Sequence, residues 1–168
     1  MTRTKAQVSS KAQGSVAFPA KVPKAGEGKR GEAGHLSYLL RQAAGAVRLR
    51  LERNLASLGV TPPQFLVLTM LDSYPGASGA DVARIALLTP QTVHGIIGNL
   101  ERAGLIARSA HPVHGRVQVI TLTKTGRALL WRCKERAAKA DAEVRSGISP
   151  DEEALIRRWL VGLARRDD

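Results

Sequence analysis

The segment SGADVARIALLTPQTVHGIIGNLERAGLIARSAHPVHGRVQVITL, residues 78–122, decides the fold. Its opening, Ser78-Gly79-Ala80-Asp81, has the Ser-x-x-acid form of a capping box, which predicts a short helix from the glycine onward. Thr89-Pro90 then offers an N-cap hydroxyl followed by a proline, a pair typical of the start of a second helix. Gly104 predicts the end of that helix, because a residue without a β-carbon suits the left-handed cap.

The second predicted helix has two unlike sides. Apolar residues recur at helical spacing on the side expected to pack inward: Val93, Ile96, Ile97 and Leu100. The opposite side and its flanks carry small and polar residues: Gln91, Thr92, His94, Gly95, Gly98, Asn99 and Arg102. Two interior glycines each cost about 1 kcal/mol relative to alanine, so their outward position needs a reason. Close approach of the backbone to a DNA groove is one reason, and relief of a crowded helix crossing is the alternative.

The pattern changes period after this helix. Leu105–Arg108 and Val117–Leu122 are rich in branched residues and predict two strands, with a loop from Ser109 to Arg116 between them. A hairpin that directly follows a recognition helix is called a wing, and an arginine at its tip suits a narrow minor groove. The alternative for this arginine is a side chain that is simply solvated.

Together these elements predict a mainly α fold with a small β-hairpin wing, a winged helix-turn-helix that binds double-stranded DNA sequence-specifically. The candidate DNA contacts are Ser78, Thr89, Gln91, Thr92, His94, Gly95, Gly98, Asn99, Arg102, Arg108, His114 and Arg116. No Ser/His/Asp order, pair of catalytic carboxylates or phosphate-binding glycine loop occurs at convincing spacing. The chain is therefore not expected to be an enzyme or to hold a cofactor.

Long amphipathic helices are predicted on both sides of this DNA-binding domain, which spans residues 61–122. Residues 33–60 carry leucines at spacings of three and four, and residues 123–168 predict two further helices. A winged helix of about 80 residues does not need three long helices for its own core. Their apolar stripes are therefore expected to be buried in a homodimer, which would present two recognition helices to half-sites about 34–36 Å apart.

Charge and composition favour a polyanionic partner. The chain has a formal net charge of +12, and its first 30 residues carry seven cations and one acid, or +6. Residues 1–32 contain too little apolar surface to offset their ordering entropy, so they predict a disordered basic tail that either scans DNA phosphates or only solubilises the chain. With one cysteine, and no apolar run long enough for a membrane span or a signal peptide, the protein is expected to be cytoplasmic.

The segment from about Tyr38 to Leu130 resembles the multiple-antibiotic-resistance regulator (MarR) family of bacterial transcription factors. The matching pieces are Gly59–Phe65, Tyr74–Gly76, Thr92-Val93, Leu100–Ile106 and Leu122–Gly126. The resemblance implies a homodimeric regulator, most often a repressor, that a small and often anionic aromatic effector releases from DNA or retunes on it. Family members often show Pro-x-Asp-Arg-Arg in the wing, where this chain has Pro112-Val113-His114-Gly115-Arg116. The resemblance implies that the arginine keeps a minor-groove role, without the usual aspartate.

The resemblance also implies an effector site where the dimerisation helices meet the DNA-binding domain. His35, Tyr38 and Arg41 are the candidate effector contacts, because an arginine with a phenol and an imidazole suits an anionic aromatic ligand. The alternative is a solvated or dimer-packing helix face.

Other functional classes stay open at this stage. The winged helix could serve as a docking surface in a protein-interaction or scaffold module. His111 and His114 form His-x-x-His, but two histidines on a loop without a third ligand are weak evidence for a metal and fit solvent or phosphate contact better. Cys133 could be a redox sensor, yet its place in a helical apolar seam is more typical of a small buried hydrophobe.

Overall fold

The computed structural model describes residues 22–110 and 118–165. In chain order the helices and strands are α1 (Leu36–Leu55), α2 (Pro62–Ser73), α3 (Gly79–Ile85), α4 (Pro90–Arg102), β1 (Ile106–Ala110), β2 (Gln118–Leu122), α5 (Lys124–Arg145) and α6 (Pro150–Ala164). The chain separates into two compact units, Met1–Arg41 and Gln42–Asp168. None of the helices described has both the length and the apolar character that crossing a membrane requires.

Local hydrogen bonds start the helices where the sequence predicts. The side chains of Thr61, Ser78, Thr89, Thr123 and Ser149 each accept a hydrogen bond from the backbone N–H three residues on. The capping box is complete at Ser78, where the Asp81 carboxylate accepts from the Ser78 backbone N–H. Gly104, with φ 67°, adopts the left-handed conformation just after α4, as predicted.

One apolar core joins the winged helix-turn-helix. Its buried members come from α2, α3, α4, α5 and both strands: Val67, Leu68, Leu71, Val82, Ala83, Val93, Ile97, Leu100, Ile106, Ile120, Leu122 and Leu130. The predicted inward side of α4 is confirmed, with Ile96 half-buried against this core. Burying each large aliphatic side chain contributes about 1.5–3 kcal/mol, so this core fixes α4 on α2 and α3.

The joint between α5 and the end of α4 is built from backbone carbonyls. The Thr123 hydroxyl donates to the carbonyl oxygen of Gly104 at 2.8 Å, and the Thr123 N–H donates to that of Leu105 at 3.0 Å. One turn later, a β-carbon on Gly126 would overlap the carbonyl group of Leu105. Helix α5 therefore starts in close contact with the turn that links α4 to the wing.

A second contact ties α5 to α2. Lys134 Nζ lies 2.6 Å from Asp72 Oδ2, and both side chains are partly exposed. Beside this ion pair, Leu55, Val60 and Cys133 form a smaller buried cluster. Helix α5 is thus held to the DNA-binding domain at two places along its length.

Many apolar side chains of the flanking helices lie in solvent. Helix α6 buries none of its residues, and its exposed apolar side chains are Leu155, Ile156, Trp159, Leu160, Val161 and Leu163. Within α1 only Leu55 is buried. The apolar stripes of α1 and α6 are therefore largely uncovered within the described parts of the chain. Helix α5 differs from the expectation, because Leu130, Cys133 and Ala140 of its stripe are already buried within the chain.

Three details differ from the sequence-based expectations. Ser109 and Ala110 belong to β1 and not to the loop, because the ladder pairs Ser109 with Val119. Residues Gly28–Arg30 form a 3-10 turn inside the predicted disordered tail, where a guanidinium N–H of Arg30 donates to Pro23 O at 2.7 Å. Helix α1 is shorter than residues 33–60, and its final turn is the 3-10 segment Ala56–Leu58. For residues 1–21 the disorder stays a prediction.

Candidate nucleic-acid interface

Helices α3 and α4 form the helix-turn-helix that presents the candidate interface. Gly79 at the start of α3 sits against α4, since a β-carbon there would lie 3.5 Å from Ile97 Cδ1. The connecting turn places Leu87 at φ 52° with 93% of the residue exposed. Thr89 then caps α4 by accepting from the Thr92 N–H at 3.1 Å. The Thr89 cap therefore fixes the first turn of α4 at the protein surface.

The outward side of α4 is open. Gln91, Thr92, His94, Gly95, Asn99 and Arg102 are exposed, and Gly98 is half-exposed. A β-carbon on Gly95 or Gly98 would meet no atom within 4 Å. Within the described residues, relief of a crowded helix crossing therefore does not explain these two glycines.

Two polar side chains on this side bind each other. An Arg102 guanidinium N–H donates to Asn99 Oδ1, and Arg102 Nε donates to the backbone carbonyl of Gly98 at 3.3 Å. The cation at the end of α4 is thus folded back along its own helix. The Asn99 amide is held with its oxygen toward Arg102, which leaves its two N–H donors available.

The hydroxyl of Ser78 is largely committed to its helix cap. It donates to Asp81 Oδ2 at 2.7 Å and accepts from the Asp81 N–H at 3.2 Å. The bond from the Ser78 hydroxyl, and then that from the Ser78 backbone N–H to the same carboxylate, hold the pKa of the Asp81 carboxyl below its ordinary value, with a smaller contribution from the nearby Arg84. Both the hydroxyl and the backbone N–H of Ser78 therefore already donate to Asp81, and the DNA contact at Ser78 stays a prediction.

Arg108 connects the wing to the recognition helix. Its Nε lies 3.1 Å from Glu101 Oε2 on α4, and its side chain is 30% exposed. Arg108 stands opposite Ile120 in the strand ladder. It also lines a cavity of about 330 Å³ between α3, α4 and the strands, together with His94 and Ser78. Arg108, predicted as a DNA contact, is an exposed residue whose guanidinium group is ion-paired with Glu101 and so links β1 to α4.

The tip of the wing lies outside the described residues. His111, His114 and Arg116 all fall in the segment 111–117. The paired strands β1 and β2 do show where the wing begins, next to the C-terminal end of α4. The minor-groove role of Arg116 and the metal alternative for the two histidines stay predictions.

The predicted effector residues share a surface of the N-terminal unit. His35 and Tyr38 line a cavity of about 340 Å³, and the guanidinium carbon of Arg41 lies 5.8 Å from the centroid of the Tyr38 ring. Lys29 lines the same cavity, which sequence reasoning missed. The signal was weak, because Lys29 stands six residues before His35 in a segment predicted to be disordered.

Cys133 lies fully buried in the smaller apolar cluster. Burial raises the pKa of its thiol, and the neighbouring Arg132 offsets this only in part. The expectation of a small buried hydrophobe is confirmed. A thiol in this environment is poorly suited to peroxide sensing, since the thiolate is the reactive form.

Sequence comparison places these features in a known family. A model of the MarR family matches residues 58–117. The HTH-type transcriptional repressor Rv2887 of Mycobacterium tuberculosis is 38% identical over 128 residues, which cover 76% of this chain and 92% of the relative. The 128 aligned residues extend well beyond the helix-turn-helix itself.

Superposition on solved structures points to the same family. Rv2887, a MarR family protein, superposes with a TM-score of 0.65 in complex with p-aminosalicylic acid, at 35% identity over 78% of this chain and 99% of that one. Its complex with DNA superposes at 0.63, with 35% identity, 77% of this chain and 98% of that one. BpsR of Bordetella bronchiseptica, whose DNA binding is regulated by 6-hydroxynicotinic acid, gives 0.73 at 27% identity, covering 79% of this chain and 95% of that one. The chain therefore belongs to the MarR family of winged helix-turn-helix transcription regulators.

Proposed function

We propose that this protein is a transcriptional repressor that binds a pseudo-palindromic DNA operator as a homodimer in the cytoplasm. In this proposal α4 enters the major groove with Gln91 in its first turn, and the wing places Arg116 in the adjacent minor groove. The observation that carries the proposal is the open outward side of α4, with unobstructed glycines, on a chain of net charge +12. The relative Rv2887 is named a repressor and has been crystallised with DNA.

The homodimer rests on the uncovered apolar side chains. On α6, which is distant in sequence from the DNA-binding helix α4, Trp159 and Leu160 are 40% and 43% exposed. Apolar surface gains about 25 cal/mol per Å² when it leaves water, so a helix with no buried residue needs a partner. A second copy of the chain supplies an identical stripe, and a two-fold axis then sets the spacing of the two recognition helices.

DNA recognition is tested by fluorescence anisotropy on a duplex selected from genomic fragments and on a random duplex of the same length. We expect Gln91→Ala to lower affinity for the selected duplex and to leave the random duplex unchanged, because base contacts specify and phosphate contacts do not. Arg116→Ala should weaken binding as well. Lys139→Ala, which removes an exposed cation from α5, is the control. If Gln91→Ala loses affinity equally for both duplexes, Gln91 does not recognise bases. If the wild type binds both duplexes with the same affinity, the proposed role as a sequence-specific repressor is wrong.

The dimer is tested by sedimentation equilibrium. Leu160→Asn should shift the protein toward monomer and lower its DNA affinity, because a polar group then faces the interface. Arg158→Asn places the same side chain two positions away on α6 and serves as the control. If the wild-type protein is monomeric at micromolar concentration, the proposed homodimer is wrong. If it binds no duplex at all, the alternative of a protein-interaction or scaffold module is favoured.

The effector in this proposal is a small aromatic anion. Lys29, His35 and Tyr38 line one largely apolar cavity, and the guanidinium carbon of Arg41 lies 5.8 Å from the centroid of the Tyr38 ring, so an aromatic anion would find apolar surface with cations close by. Rv2887 has been crystallised with p-aminosalicylic acid, and 6-hydroxynicotinic acid regulates the DNA binding of BpsR. An effector shifts the protein between DNA-competent and incompetent geometries only by its difference in affinity for the two.

The effector site is tested by titrating salicylate and 6-hydroxynicotinate into the protein–DNA complex. Release of DNA by either anion, and loss of that response in Arg41→Ala and Lys29→Ala, would support the site. The two variants should bind DNA normally without the anion. Unaltered responses in both variants would move the effector site elsewhere.

A further inference from the structure

We infer that the recognition helix selects A·T base pairs, with Gln91 and Asn99 as the residues that recognise adenine. The inference deepens the proposed function and rests on it, since it names the class of DNA that the repressor binds. It concerns the chemistry of α4 alone, and the wing and the dimer enter only by holding α4 in the groove.

The first argument is the lack of a free arginine. The commonest specific contact to guanine is a bidentate Arg or Lys on its O6 and N7 atoms. Helix α4 contains one such cation, Arg102, at its last residue. The Arg102 guanidinium donates to Asn99 Oδ1 and to the carbonyl of Gly98 and so lies along the helix. The first three turns of α4, which enter the groove deepest, therefore present no cation to guanine.

The second argument is the amide in the first turn. Gln91 is exposed and directly follows the proline at the start of α4, and its side chain makes no hydrogen bond within the described parts of the chain. An amide matches adenine, because its oxygen accepts from N6–H while its N–H donates to N7. Gly95 stands one turn on, on the same side, and its missing side chain lets Gln91 reach the base pairs without obstruction.

The third argument is the way Arg102 orients Asn99. By donating to Asn99 Oδ1, Arg102 fixes the amide plane and leaves one lone pair and both N–H groups for a base. Arg102 acts here as a positioning residue. Gln91 and Asn99 lie eight residues apart, about 12 Å along the helix axis, so the two side chains reach different base pairs of one half-site.

Thr92 adds an apolar contact. Its hydroxyl lies 2.7 Å from the Thr89 hydroxyl and is engaged in that hydrogen bond. The side chain is exposed, and its methyl group suits the C5-methyl of thymine. The three side chains Gln91, Thr92 and Asn99 thus favour the same two bases.

The test begins with selection of bound duplexes from a random library. We expect A·T pairs at two separate positions in each half-site. A selected motif with G·C pairs at both positions would overturn the inference and leave the repressor intact. If no motif is selected, both the proposed repressor function and this inference are wrong.

Atomic substitution then assigns each position to a residue. Replacing the first adenine by 7-deazaadenine removes its N7 acceptor and should weaken wild-type binding about 5- to 150-fold, with no further effect in Gln91→Ala. The second adenine should behave in the same way toward Asn99→Ala. Uracil in place of thymine should weaken the wild type but not Thr92→Ser. Asn54→Ala removes an amide from α1 and should retain the full response.

Arg102→Met separates positioning from phosphate contact. Loss of discrimination at the Asn99 position, with unchanged discrimination at the Gln91 position, supports the positioning role. A uniform loss of affinity on every duplex would make Arg102 a phosphate contact. If 7-deazaadenine affects Gln91→Ala and Asn99→Ala as strongly as the wild type, adenine recognition by these amides is wrong.

Discussion

The carbonyl group of Leu105 occupies the space that a β-carbon on Gly126 would need. The contact closes the joint between the α4–β1 turn and the first turn of α5, where the Thr123 hydroxyl also donates to the Gly104 carbonyl and the Thr123 N–H to the Leu105 carbonyl. The obstacle is backbone and not the end of a flexible side chain. This joint therefore cannot adapt to a larger residue without moving α5.

Gly126→Ala is expected to destabilise the protein by about 3 kcal/mol, because overpacking against backbone forces α5 away from the turn. Chemical unfolding measured by circular dichroism gives the loss directly. DNA affinity should fall even under conditions where the variant stays folded, since α4 ends at the same turn. A variant as stable as the wild type would mean that the joint is looser than described.

Gly95→Ala is expected to act in the opposite direction on stability. Its β-carbon meets nothing within 4 Å, so the helix should gain about 1 kcal/mol, while DNA affinity should drop because the added methyl lies on the outward side of α4. Thermal unfolding and anisotropy on the same preparation separate the two effects. Gly45→Ala, another unobstructed helical glycine, should change stability without changing affinity. Equal affinity of Gly95→Ala and wild type would place this residue away from the duplex.

The Cys133 thiol is expected to resist modification in the folded protein. It is fully buried and its pKa is raised, so a maleimide should react with it much more slowly than in guanidinium-unfolded protein. Cys133→Ser should cost about 1–3 kcal/mol, because it buries a hydroxyl without a partner. Rapid native-state labelling, or loss of DNA binding on peroxide treatment of wild type but not Cys133→Ser, would restore the redox-sensor hypothesis.

Acid is expected to destabilise the protein partly through two helix caps. Hydrogen bonds from Ser78 lower the pKa of Asp81, and those from Ser149 lower the pKa of Glu152. Because these pKa values are lower in the folded state, the caps stabilise it above the unfolded values, near pH 4, and the contribution is lost as pH falls through the folded ones. Melting temperatures between about pH 3 and pH 7 should therefore fall less steeply in Asp81→Asn than in the wild type. An identical slope would mean that the Asp81 cap contributes nothing to the acid response.

The parts of the fold that the sequence predicts are those fixed over three or four residues. Each cap, such as that of Thr89 on the Thr92 N–H, is a contact between near neighbours, so the residue types alone indicate it. The inward side of α4 follows from periodicity for the same reason. The predicted end of β1 was wrong, because Ser109 belongs to the strand only through its pairing with Val119, ten residues away.

The candidate DNA surface was predicted as a set of positions but not as an arrangement. Exposure of Gln91 and of the two glycines agrees with the helical angles. The folding of Arg102 onto Asn99 is a choice among rotamers that no residue pattern specifies. The pairing of Arg108 with Glu101 required the strand and the helix to be placed in space first.

Helix α5 is a rod of 22 residues, about 33 Å long, that is fixed to the DNA-binding domain at the Thr123 joint and at Lys134. Because the rod and the domain are joined at two places, each degree by which they turn together about the Thr123 joint would displace the far end of the rod by about 0.6 Å. A ligand that wedges the far ends of two such rods apart by a bond length or two would turn the attached helix-turn-helix units by only a few degrees. In the proposed dimer, such a rotation would change the separation of the two recognition helices relative to the DNA half-sites without unfolding any part of the protein.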